Sequence, residues 1–144
     1  MTRNLDHLFG LQDLRSCPVI ALQLVMAVRL SILYSHAGRD SLPDLAVRLR
    51  SMRAAQSVEQ LVLTINRIWP EQFAIHRPCS IAMSPDEALL AEIATAATRG
   101  EQSRASDAMR DLLPCLSRDR MFRETVEIVD ALEAVRAQAA HGPD

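Results

Sequence analysis

The segment Pro18–Ser35, Pro-Val-Ile-Ala-Leu-Gln-Leu-Val-Met-Ala-Val-Arg-Leu-Ser-Ile-Leu-Tyr-Ser, is apolar on every side that a helix could present. Projected at about 100° per residue, its polar members Gln23, Arg29, Ser31 and Ser35 scatter around the wheel instead of forming a stripe. A helix that is hydrophobic all round must be buried, in a core, a partner or a membrane. A run of about eighteen residues is at the lower limit for crossing a bilayer, and Arg29 lies well inside it. The expectation is therefore a central core helix in a cytoplasmic protein, with no membrane partner.

The chain has 144 residues, within the usual size of one domain, roughly 100–200 residues. A single helical domain over 1–144 is expected, with 1–15 as an N-terminal arm and 141–144 as a tail. Apolar residues make up 49% of the chain, but Phe9, Phe73, Phe122, Tyr34 and Trp69 are its only aromatics. A core of Leu, Ile, Val, Ala and Met suits helix packing better than a β-sandwich. All sixteen basic residues are arginine, so Schiff-base catalysis and a phosphate-loop lysine drop out. The formal charge of −2 is uneven, with nine Arg against six acids up to residue 80 and seven against twelve beyond it. Neither half is basic enough to predict nucleic-acid binding. Cys17, Cys79 and Cys115 are isolated and odd in number, which fits free thiols in a reducing compartment.

Start and stop signals divide the chain into six helices. Pro18 sits where a first-turn proline belongs, and the first helix runs to about Ala37 before Gly38. A short turn of helix near 4–14 can precede it. Ser41-Leu-Pro-Asp44 opens a second helix that presents Leu42, Leu45, Leu49 and Met52 on one face. Ser57-Val-Glu-Gln60 reads as a capping box for a third, ended by Pro70. The interval 70–83 resists a helical reading and is expected to be an ordered loop. Ser84-Pro85-Asp86-Glu87 is the strongest local signal: Ser caps, Pro takes the first helical position and Glu87 reaches back to the cap amide. That helix should stop at Gly100, a fifth should cover Ser103–Leu113, and Ser117 should cap the last. Met121, Thr125, Ile128, Leu132, Val135 and Ala139 then step by four and three in turn, the spacing of a two-helix packing seam. The fold class expected is all-α, a compact bundle of about six helices around residues 18–37.

His76-Arg-Pro-Cys-Ser-Ile-Ala-Met-Ser-Pro-Asp-Glu-Ala-Leu-Leu90 resembles a family of small uncharacterised bacterial all-helical proteins. In that family a helix, a Pro-Cys-rich turn and a Met-Ser/Thr-x-Asp/Glu-Glu helix start follow in order, and the likeness extends from about Pro18 to Leu113. Relatives bear adjacent cysteines where this chain has Cys79 followed by Ser80, which weakens any metal or redox role. The resemblance implies a fold type and carries no activity.

Few constellations speak of chemistry. His76 and Cys79 form the one close His/Cys pair, but a structural zinc needs two further ligands and none stands at ligand spacing. A Cys79–His76 nucleophile lacks an oxyanion loop or an orienting Asn, so a Cys/His enzyme ranks third among the functions. Helices 42–55 and 58–69 could form a helix-turn-helix, with Arg39, Arg48, Arg50 and Arg53 on phosphates. The turn Ala54-Ala55-Gln56 has no Gly and the second helix is too apolar to read bases, so a solvated arginine face is preferred. Met26, Met52, Met83, Met109 and Met121 are expected to fill the core, and Glu124, Glu127, Asp130 and Glu133 to form a solvated face. Arg29 either snorkels from a helix rim or pairs with a buried acid, Glu59 or Glu92, at a pocket or seam. The leading expectation is a non-catalytic interaction or regulatory protein without cofactor or metal. It would act as a homodimer through Leu24, Val28, Ile32, Met121, Ile128 and Leu132, or bind another protein. The alternative is a small-ligand or DNA-binding regulator.

Overall fold

Both helix signals act at the ends of the apolar run, although Pro18 is the N-cap residue and not, as expected, a first-turn proline. Pro18 is extended (ψ 150°) and stands just ahead of α1 (Val19–His36). Gly38, at φ +69°, turns the chain away after it. The computed structural model describes residues 13–141, and these hold five further helices. They are α2 (Leu42–Leu49), α3 (Met52–Ile68), α4 (Pro85–Thr98), α5 (Gln102–Met109) and α6 (Cys115–His141). A 3-10 turn at Leu14–Ser16 precedes α1. Among the described residues there is no strand, only an isolated antiparallel bridge between Asp13 and Ala82. The domain is an all-α bundle. Residues 1–12 and 142–144, with the helical turn expected near 4–14 and most of the arm and tail, lie outside the described residues.

Two boundaries depart from expectation for identifiable reasons. Arg50 takes a left-handed conformation (φ 56°) that ends α2, a cap usually announced by glycine. Ser51 then caps α3 by accepting a hydrogen bond from the Ala54 amide at 2.9 Å. Ser57 is thus inside α3, and Ala54-Ala55-Gln56 is helix, not the turn of a helix-turn-helix; alanine is the best helix former. Met52 belongs to α3 and is exposed, not a member of the α2 face. Likewise α6 begins at Cys115, directly behind Pro114, so Ser117 is within it. The α5–α6 turn is held by Arg118, whose guanidinium donates to Ser106 Oγ (3.0 Å) and to the Leu113 carbonyl (2.9 Å).

α1 occupies the centre, packing on α2, α3, α4 and α6. α6 lies along α3 and also covers α4 and α5. Leu24, Val28 and Ile32 of α1 are buried in the core, as are Met121, Ile128 and Leu132 of α6. All six residues expected at a subunit seam are therefore covered by the chain's own helices. Val135 is half-buried and Ala139 exposed, so the α6 stripe stops packing after Leu132. α1 is long and apolar enough to cross a membrane (mean hydropathy 1.6), with half of it buried inside the bundle.

Because this core closes within one chain, Leu24→Ala and Ile128→Ala should each lower the unfolding free energy by about 2–5 kcal/mol. The urea midpoint of the wild-type chain should not move over about a hundredfold range of protein concentration, whereas a core completed by a second copy would make it rise with concentration.

Candidate functional site

Ser84 and Glu87 build the expected capping box at the start of α4. Ser84 Oγ accepts from the Glu87 amide (3.0 Å), and Glu87 Oε1 accepts from the Ser84 amide (3.0 Å). Glu87 also does something that a surface capping residue does not. It is fully buried, and its carboxylate meets the guanidinium of Arg29 from α1 side-on. Arg29 Nε donates to Glu87 Oε2 at 2.7 Å, and Nη2 donates to Oε1 at 3.0 Å. The acid partner of Arg29 is thus Glu87, not Glu59 or Glu92, and Arg29 does not snorkel: it is 1% exposed. Glu59 accepts from Ser41 Oγ instead, at 3.2 Å.

The remaining Arg29 protons organise the segment between α3 and α4. Nη1 donates to the carbonyls of Arg77 (3.1 Å) and Ser80 (2.9 Å), and Nη2 to that of Ala82 (3.2 Å). A guanidinium has five N–H donors, and each has an oxygen acceptor here. The His76 amide donates to Glu87 Oε1 (3.3 Å), the Ala74 amide to Asp86 (2.8 Å), and Ser84 Oγ to the Ala74 carbonyl (2.6 Å). On the outer side, the Leu14 amide donates to the Ile81 carbonyl at 2.8 Å. Residues 70–83 are consequently an ordered loop, as expected, tied to the ion pair through main-chain groups.

Arg29, His76 and Cys79 are brought to one place, but only Arg29 contributes its side chain. His76 and Cys79 are exposed, and among the described residues no hydrogen bond joins them. Nor is there, among the described residues, any group of three or more His, Cys, Asp or Glu side chains arranged to hold a metal ion. The arginines considered for phosphate contact serve separate ends: Arg39 lies over the Tyr34 ring at 4.9 Å and Arg50 closes α2. Tyr34 Oη donates to Asp44, which pushes the phenol pKa up.

Beside the ion pair a cavity of about 300 Å³ opens between α1, α2 and the loop. Its apolar wall comes from Leu22, Met26, Leu30 and Leu33 of α1, with Leu45 and Leu49 of α2 and Pro78 opposite. Arg48, Gln23 and Arg29 are the polar residues along it. Sequence reasoning missed this site, since its α1 residues lack any periodicity that distinguishes them from their equally apolar neighbours. Comparison with family models, curated proteins and solved structures yields no significant match.

Removing either member of the ion pair strands a buried charge, so Glu87→Gln and Arg29→Met should each cost about 3–5 kcal/mol. Trp69, the only tryptophan, stands edge-on to Phe73 of the loop, 5.1 Å between centroids. Its emission should shift to the red in both variants as the loop detaches, at urea concentrations where helical circular dichroism is kept. Burial, and secondarily the charge of Asp13, push the Cys17 thiol up, whereas Cys79 and Cys115 are exposed. Alkylation of the native chain at neutral pH should modify Cys79 and Cys115 well before Cys17, as read by peptide mass spectrometry.

Proposed function

We propose that this chain is a non-catalytic small-ligand-binding protein of regulatory type, with the cavity between α1 and α2 as its site. The observation that carries this reading is a mostly apolar concavity of about 300 Å³ with few polar groups. That matches the composition of small-molecule sites, at the lower end of their usual range of roughly 300–1,000 Å³. No catalytic role is assigned to the residues beside it. Arg29 and Glu87 are saturated by one another and by backbone groups. A group whose donors are all engaged positions structure and is not poised to transfer a proton.

The homodimer expected from the sequence would have to use other surfaces than the six residues already inside the core. The α1 face left partly open, Leu22, Met26, Leu30 and Leu33, lines a hollow. A two-fold interface places the same patch on both subunits, and two concave patches do not fill one another. A ligand suits that face better than a second copy.

An environment-sensitive apolar dye such as 1-anilinonaphthalene-8-sulfonate should bind the folded chain with one saturable site. Leu30→Trp should fill the hollow and reduce that binding at least about tenfold, with unchanged helical circular dichroism. Saturable binding that survives Leu30→Trp would place the dye elsewhere and remove the reading.

A further inference from the structure

Two features of the cavity wall specify the ligand more closely, on the reading that the hollow is a ligand site. The wall is a continuous apolar strip, Leu22, Met26, Leu30 and Leu33 facing Leu45 and Leu49. It takes a flexible hydrocarbon chain, because aliphatic side chains line it and no aromatic ring does. Arg48 lies on the wall, exposed, and no hydrogen bond or ion pair engages it among the described residues. Arg29 cannot serve as the cation, since each of its five donors is already taken. An acid head group would therefore meet Arg48, whose planar fork suits a carboxylate.

We infer that the cavity binds a medium-chain carboxylic acid, with the hydrocarbon chain in the aliphatic hollow and the carboxylate on Arg48. The small volume limits the chain to medium length. Arg48 is exposed to water, so the charged head group meets it on the solvent side of the hollow.

The test is displacement of the bound dye from the full chain by octanoate and by 1-octanol. Octanoate should displace at about tenfold lower concentration than 1-octanol, and the advantage should shrink in high salt. Arg48→Glu should erase it while leaving 1-octanol unaffected. If 1-octanol equals octanoate, or if Arg48→Glu changes nothing, the ligand assignment is overturned while the site itself stands. If the dye has no saturable site sensitive to Leu30→Trp, the underlying site reading fails instead. Acid binding seen only after deletion of residues 1–12 would give the cavity to the chain's own N-terminal segment. Binding restricted to concentrations below a dimerisation seen by light scattering would give it to a second copy. Either result also overturns the assignment.

Discussion

The ion pair between Arg29 and Glu87 joins residues 58 positions apart and ties the central helix to the helix that follows the loop. Taking two such charges out of water costs several kcal/mol per ion. The geometry offsets that cost because no polar atom of either group is left unused. The guanidinium finds five oxygens, and the carboxylate gathers two guanidinium nitrogens and two main-chain amides. Glu87 also stands in the first turn of α4, where the helix dipole favours negative charge. Such a pair is weak support for stability as such, since an apolar replacement of equal volume is often no worse. Its consequence here is specificity of arrangement.

That specificity matters most for α1. A helix without a polar stripe has nothing in its hydrophobic pattern to decide which side faces inward. Arg29 supplies the missing marker. With its guanidinium fixed on Glu87, Leu24, Val28 and Ile32 turn into the core, and Leu22, Met26 and Leu33 fall on the Arg29 side. The same contact brings the carbonyls of Arg77, Ser80 and Ala82 over that side, which sets Pro78 as a wall of the cavity. A loop with little regular structure must find partners for its main-chain groups, and here a single side chain accepts that task for three carbonyls. Core, loop and cavity thus share one anchor.

How far this was legible in the sequence follows from the range of each signal. Pro18, Gly38, the Ser84 capping box and Gly100 act within a few residues of themselves, and they mark helix ends that the structure keeps. The α2–α3 junction is hidden from the sequence because its left-handed residue is Arg50, where glycine is the usual sign. Glu87 reads as a capping acid, which it is, and that local role conceals its long-range one. Arg29 reads as a group needing an acid, but charge alone does not separate Glu59, Glu92 and Glu87, and only the packing of α1 on α4 selects Glu87. The α6 stripe packs as a seam from Met121 to Leu132 but not at Val135 and Ala139, and periodicity cannot say whether the facing helix belongs to the same chain; α3 does.

The two arginines of the site carry opposite consequences of burial. Arg29 is desolvated and saturated, so its charge is invisible to anything entering the cavity, and its contribution is geometric. Arg48 makes no hydrogen bond or ion pair among the described residues, acts on the Tyr34 phenol only through its charge, and keeps access to water, so that charge remains available at little desolvation cost to itself. An incoming anion is thus stabilised without unmaking the pair that holds the wall. Were the roles reversed, a ligand would have to compete with Glu87 for Arg29, and binding would loosen the loop that encloses it. Separating the structural cation from the free one lets an apolar hollow accept a charged head group while the core beneath it stays closed.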